Sequence, residues 1–173
     1  GGAHQGYKEG QHLRVVLGQV FRMPLDADRN APVLAFDAFD HSIRRTITET
    51  DNVLITTMTH NPASLHLDAE YMKNTEFGKP LINSCFTFGL MVGISVNDTT
   101  HGTTVANLGM DEVRFPNPLF PGDTVRVETE VIATRESKSR PDNGIVTFVH
   151  RAWNQRDELV GEFKRSALML RKP

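Results

Sequence analysis

The sequence predicts an α+β domain in which one long apolar helix is wrapped by an antiparallel β-sheet. Two observations carry this reading. Cys85 to Val96 is the longest apolar run in the protein, interrupted only by Thr87 and Ser95, and a run of that length suits a helix better than a strand. After it the hydrophobic period changes to two. Val125, Val127, Thr129 and Val131 alternate with Arg126, Glu128 and Glu130, which marks a half-buried strand. Ile145 to Trp153 and Leu159 to Leu170 repeat the alternation, joined by a turn at Gln155-Arg156-Asp157-Glu158. Thr104 to Phe115 supplies an earlier strand, and Pro121-Gly122-Asp123 a tight turn. One buried helix followed by four strands with short hairpin connections implies a sheet curled around that helix.

The elements upstream are shorter. Thr48-Glu49-Thr50-Asp51 places a capping residue three positions before an acid, close to a capping box, and the apolar positions Val53, Leu54 and Met58 suit a short helix of two to three turns that Pro62 ends. Asp68 caps a second short helix, Ala69 to Asn74, which Phe77-Gly78-Lys79-Pro80 breaks. The long helix then runs from about Ser84 to Asn97, with Asn83 or Ser84 as its N-cap. Being apolar nearly all round, it is expected to be buried on most faces. Gly89 and Gly93, one turn apart, each cost about 1 kcal/mol in helix propensity and are expected to admit another backbone. Residues 1–41 read as an N-terminal extension or docking arm, with Val15 to Phe21 as strand material and Phe36 and Phe39 as anchors; residues 42–173 form the domain.

Composition narrows the function classes. The chain of 173 residues fits one domain. A formal charge of −2 argues against general nucleic-acid binding. No apolar stretch reaches the roughly 18 residues needed to span a bilayer, and no signal-peptide pattern is visible. The start Gly-Gly-Ala-His, without Met, reads as a processed or engineered start. The single cysteine, Cys85, lies in the apolar run and reads as a buried structural thiol, which favours a reducing, cytoplasmic location. His60, His101 and His150 lack ligand spacing with Cys or carboxylates, so no metal site is expected. His4 and His12 carry no signal.

Chemistry concentrates between His60 and Ser84. Asn61 and His66, five positions apart, sit in a Pro-containing loop that leads through Gly78-Lys79-Pro80 into the long helix. The first turn of a helix leaves backbone N–H groups unpaired. A histidine beside such donors suits acid–base chemistry on a carbonyl compound.

The order of Leu-His-Leu-Asp (65–68), the Gly-Lys-Pro-Leu-Ile-Asn-Ser turn (78–84) and the apolar helix resembles the MaoC-like, (R)-specific enoyl-CoA hydratases. The stretch NLGMDEVRFPNPLFPGDTV (107–125) is similar to the strand and turn after the central helix of that family. The resemblance runs from about residue 44 to the C-terminus. It implies a single hot-dog fold, a long helix wrapped by an antiparallel sheet. Within the family, TITETDN (46–52), LHLDAEY (65–71) and SKSRPDNGIV (137–146) are most similar to the branch acting on mesaconyl-CoA, methylmalyl-CoA or itaconyl-CoA.

The resemblance implies reversible hydration of an α,β-unsaturated acyl-CoA thioester. The family's histidine falls on His66. Its paired Asp, in the pattern G-D-x-N-P-[LIV]-H, falls on Asn61, and Ala63-Ser64 replaces its Asn-Pro. His66 is then the general base, Asn61 an orienting amide, and backbone N–H groups around Ser84 the oxyanion hole, with Asn83, Gly78 and Pro80 shaping the substrate site. Arg135, Lys138 and Arg140 are candidates for CoA phosphates, their rival reading being a solvated basic loop. No cofactor is expected, CoA being part of the substrate. The pocket is expected at the junction of two hot dogs, in a homodimer or an assembly of dimers. Two other readings stand beside this one: a hot-dog acyl-CoA thioesterase, disfavoured because Ser84 to Asn97 contains no acid, and a non-catalytic acyl-binding subunit.

Overall fold

The computed structural model describes residues 38–171, so the readings placed on Val15 to Phe21 and on Phe36 fall outside the described residues. Two short strands, β1 (Phe39–Asp40) and β2 (Arg45–Thr46), precede three short helices, α1 (Glu49–Met58), α2 (Ser64–Leu67) and α3 (Ala69–Met72). The long helix α4 (Ser84–Thr99) follows, and then strands β3 (Thr104–Arg114), β4 (Thr124–Glu136), β5 (Asn143–Trp153) and β6 (Leu159–Leu170). The sheet therefore begins at Phe39, three residues before the expected domain start at 42.

Local rules account for the helix starts. Thr48 Oγ1 accepts from the Asp51 N–H while the Asp51 carboxylate accepts from the Thr48 N–H, a complete capping box. Asp68 caps α3 through the Tyr71 N–H. Asn83 caps α4 through the Cys85 N–H. The chain leaves α1 at Met58, with His60 in the left-handed region at φ 52°, so α1 ends before Pro62 is reached. His66, expected in a loop, sits on the single turn of α2.

The sheet order is β1-β4-β5-β6-β3, with β2 also paired to β4, and the strand pairs are antiparallel. Only β4–β5–β6 is a run of hairpins. The expected hairpin between β3 and β4 is not formed: β3 pairs with β6 at the far edge, and residues 115–123 carry the chain back across the sheet to β4. The proline-rich segment Pro116-Asn117-Pro118 explains this, since it cannot supply the ladder donors of a tight hairpin.

Helix α4 packs on the concave face, burying Thr87, Met91, Ile94 and Ser95. Met91 and Ile94 join Ile47, Ile82, Val125 and Phe163 in the larger apolar cluster, while Val131, Val146, Phe148, Ala167 and Met169 form a second one further along the sheet. The helix is not buried all round. Cys85, Gly89, Gly93 and Asn97, spaced by four, form an exposed stripe. Cys85 is accordingly an exposed thiol rather than a buried one. A Cβ added at Gly89 or Gly93 meets nothing within 4 Å, so within this chain neither glycine admits a second backbone. The close approach is provided from the sheet side, where a Cβ at Gly161 would lie 2.7 Å from Met91 Sδ.

Helix α1 is turned with its polar side inward. Asn52 and Thr56 are buried, whereas Val53, Leu54 and Met58 are exposed, Met58 at 77%. Hydrophobic periodicity alone misassigns the inner face here, because what α1 covers is a set of backbone polar groups.

Far from the start of α4 lies a buried polar chain. His41 Nδ1 is 2.8 Å from Asp98 Oδ2, His41 Nε2 2.7 Å from Thr129 Oγ1, and Thr129 Oγ1 2.8 Å from His150 Nδ1. The Asp–His–Thr order imitates a nucleophilic triad, but Thr129 is buried and its hydroxyl is held between two imidazoles. Its role is to tie β1, β4, β5 and the end of α4 together. Burial, the nearby Arg165 charge and His41 push the His150 pKa down to about 3. Unfolded, the same side chain titrates near 6.5, so below that pH the unfolded chain binds the extra proton. The His150 contribution is complete above pH 6.5 and is lost as pH falls towards 3, at up to about 1.4 kcal/mol per pH unit. Urea titrations at pH 7, 6 and 5 should show this slope in the wild type, and His150→Gln should remove that share of it while lowering stability at pH 7.

Candidate functional site

The segments bearing His66 and Ser84 meet beneath α1, and Asn61 follows the end of α1, its N–H donating to Thr56 O. Leu81 N–H donates to Leu65 O at 2.9 Å, which brings the stretch before α4 alongside α2. His66 is half-buried, and its Nδ1 lies 2.9 Å from Leu81 O. A carbonyl oxygen only accepts, so the proton sits on Nδ1. Nε2 has no partner among the described residues and, in the neutral ring, carries a free lone pair. Leu81 is three residues before Ser84, so the imidazole contact lies within about 11 Å of the helix start even at full extension.

The four donors at the start of α4 are not equivalent. Phe86 and Thr87 N–H both donate to Asn83 O, and Cys85 N–H donates to Asn83 Oδ1. Ser84 N–H has no partner among the described residues. Asn83 is itself fixed by α1: its N–H donates to Asn52 Oδ1 at 2.8 Å and its Nδ2 to Thr56 Oγ1 at 3.3 Å. Asn83 is therefore buried structure, and the exposed group at the helix start is Ser84.

Asn61 Oδ1 accepts from the Ala63 N–H at 3.0 Å, the ordinary turn use of an Asn. Its Nδ2 has no partner among the described residues and remains a donor. Gly78 adopts φ 69° in the exposed turn before Pro80, a conformation in which a side chain is strained.

At this end of the molecule the crossover and the β5–β6 turn are stapled by Asp123, whose carboxylate accepts from Arg156 at 2.8 Å, Gln155 at 2.7 Å and Phe120 N–H at 3.0 Å. Burial pushes its pKa up, but those bonds outweigh burial and hold it below the usual carboxylate value. Of the cations nearby, Arg45 is paired with Asp51 and Lys79 stands over the Phe120 ring, 4.3 Å from its centre. Arg44 is exposed, with no acidic partner among the described residues.

The basic hairpin is not brought here within one chain. Arg135 lies near the end of β4, and the Ser137 N–H to Asn143 O bond closes the turn carrying Lys138 and Arg140. Arg171 N–H joins that turn to the end of β6, beside Thr103 and hence the C-terminal end of α4. The helix alone separates the two ends by about 24 Å, at 1.5 Å per residue.

Sequence reading missed Asn52 and the Leu81 carbonyl. Asn52 offered one signal, an amide four positions before Thr56 and so on the same helix face. A backbone carbonyl offers none. Among the described residues no group of three or more His, Cys, Asp or Glu side chains is placed to hold a metal ion, and no helix is long and apolar enough to cross a membrane.

Comparison with known proteins bears on this geometry. A family model described as MaoC like domain matches residues 35–154. Beta-methylmalyl-CoA dehydratase of Chloroflexus aurantiacus is 32% identical over 133 residues, covering 76% of this chain and 37% of that protein. Mesaconyl-CoA hydratase of Cereibacter sphaeroides is 31% identical over 132 residues, covering 76% and 38%. The chain thus spans less than two fifths of the length of these relatives. A solved MaoC-like dehydratase from Rhodospirillum rubrum superposes with a TM-score of 0.68 at 30% identity, over 79% of this chain and 92% of that one. Mycobacterium tuberculosis RV0216, described as a double hot-dog fold, superposes with a TM-score of 0.71 at 24% identity, over 79% of this chain and 42% of that one, a likeness of fold.

Proposed function

Because the chain belongs to the MaoC-like domain family, we propose that it catalyses reversible hydration of an α,β-unsaturated acyl-CoA thioester. One observation carries the reading: His66 commits Nδ1 to Leu81 O, and neither its Nε2 nor the Ser84 N–H of the nearby helix start has a partner among the described residues. Water needs a base to attack the β-carbon, and the thioester oxygen needs donors as charge gathers on it. Nε2 takes a proton from the water as its oxygen bonds to the β-carbon, and the C=C electrons move onto the thioester oxygen. Ser84 N–H holds that oxygen, a role in which loss of one donor typically costs about 3 to 4 kcal/mol. The imidazolium then returns its proton to the α-carbon, so H and OH are added and the enzyme is restored. Asn61 cannot serve as a base; its free Nδ2 orients the water or a polar substrate group.

The thioesterase reading is weakened by α4, whose acid, Asp98, lies near the far end of the helix and is bound to His41. Hydration of crotonyl-CoA, followed as loss of enoyl-thioester absorbance against release of free thiol, separates the two. Absorbance loss without thiol release is expected, and His66→Gln should lower the rate by orders of magnitude with the fold intact. Near-normal turnover in that variant would sink the assignment.

For the acyl group we infer a branched or dicarboxylic chain of the mesaconyl, methylmalyl or itaconyl type, in keeping with the substrates named for the two relatives above. A carboxylate at position 61 would stand near the substrate's second carboxylate. Two such charges 4 Å apart at an effective dielectric of about 20 repel by about 4 kcal/mol, and an amide removes that repulsion. Arg44, with no acidic partner among the described residues, is the nearest candidate counter-charge in sequence. Asn61→Asp should penalise mesaconyl-CoA at least tenfold more than crotonyl-CoA in kcat/KM; equal effects would remove this explanation.

We further propose that the working unit is a homodimer or an assembly of dimers. Strand β3 is an edge strand with most residues exposed on both faces, Val105, Leu108 and Val113 among them, and open edges of this kind invite pairing. A double hot-dog relative supports the same reading, since this chain matches less than half of it. Sedimentation at assay concentration should give at least twice the chain mass, and an active monomer would contradict the proposal.

A further inference from the structure

We infer that Asn52 is the positioning residue of this site, the side chain that sets His66 against the start of α4. The inference rests on the roles proposed for His66 and Ser84, neither of which Asn52 would perform itself.

Asn52 is 2% exposed, on the inner face of α1. Both its N–H donors and its oxygen are engaged. Nδ2 donates to His66 O at 2.9 Å and to Leu81 O at 3.0 Å, and Oδ1 accepts from Asn83 N–H at 2.8 Å. These partners lie 14, 29 and 31 positions away in sequence. They belong to the backbone of the base, the carbonyl that orients the base, and the residue immediately before Ser84. No other side chain among the described residues bridges all three.

The geometry has a chemical consequence through Leu81. Its carbonyl oxygen accepts from Asn52 Nδ2 and from His66 Nδ1 at once. Asn52 thereby holds the carbonyl facing the ring, and the carbonyl holds the proton on Nδ1. Without that acceptor a neutral imidazole is free to carry its proton on Nε2, where it cannot accept one from water. The same amide spaces the ring relative to Ser84, because Leu81 and Asn83 flank a single residue. Displacements of about 1 Å in such a pairing can cost a hundredfold in rate. A purely structural role would need a satisfied amide, but not one whose partners are all parts of the proposed machinery.

The test uses the full chain, with crotonyl-CoA and mesaconyl-CoA as substrates and ¹⁵N NMR of the His66 ring as an independent readout. Asn52→Asp keeps the volume and the acceptor for Asn83 N–H, but turns an acceptor towards His66 O and Leu81 O. It should lower kcat by about a hundredfold or more with KM within about threefold, and the ring signal should shift from Nδ1–H towards Nε2–H. Asn52→Gln, which keeps the amide but displaces it by one methylene, should lose at least about tenfold in kcat with a smaller ring shift, and it decides the question if Asn52→Asp does not fold. A folded variant that keeps wild-type kcat, or keeps the Nδ1–H signal, overturns the inference. The ring signal also separates two failures. If the wild type hydrates neither substrate, a ring shift in the variants still supports positioning by Asn52, and its absence still overturns it.

Discussion

A helix that begins inside a fold must dispose of the N–H groups of its first turn, and much of this molecule is arranged around how α4 does so. Asn83 alone takes three of them, two on its backbone oxygen and one on its side chain. That leaves Ser84 N–H, at the exposed edge of the turn. Asn83 can do this because α1 holds it at both ends, through Asn52 and Thr56. The burial of a polar face on α1, with its apolar residues turned outward, follows from the same demand: unpaired backbone groups beneath the helix would cost about 1 to 3 kcal/mol each, a size comparable to burying one Val or Leu side chain, and Asn52 alone satisfies three of them.

The fold was legible where one rule acted alone. The capping box at Thr48, the Asp68 cap, the apolar run of α4 and the period of two along β4, β5 and β6 all lie where the sequence predicts. Failures occurred where a side chain served a distant partner. Gly89 and Gly93 read as packing glycines, but the tight contact belongs to Gly161, whose neighbour Met91 lies 70 residues earlier. Cys85 lies in an apolar run yet points outward, because a helix resting on one sheet still has a second side. The strand order was hidden for a similar reason, since nothing local distinguishes a crossover from a hairpin until the pairing of β3 with β6 is known.

The candidate site was legible as chemistry and not as geometry. His66, Asn61 and Ser84 are residue types whose atoms can do the proposed work, and each has an atom without a partner among the described residues. What sequence could not supply was the second layer, because a backbone carbonyl such as that of Leu81 has no signature and Asn52 resembles any polar helix residue. The basic hairpin was legible by composition only: Arg135, Lys138 and Arg140 are residue types that suit phosphate, and local sequence says nothing of their place beside the C-terminal end of α4.

The topology also fixes an order in time. Residues 52 to 84, which carry the proposed chemistry, leave the ribosome before the β4–β5–β6 meander on which α4 rests. The meander is built from neighbouring hairpins and closes with short loops, whereas α4 and β3 must be gathered from upstream. During synthesis the apolar run of α4 therefore waits without the sheet it rests on, whereas the bracket under α1 has all its partners between residues 52 and 83 and needs no strand of the meander to close.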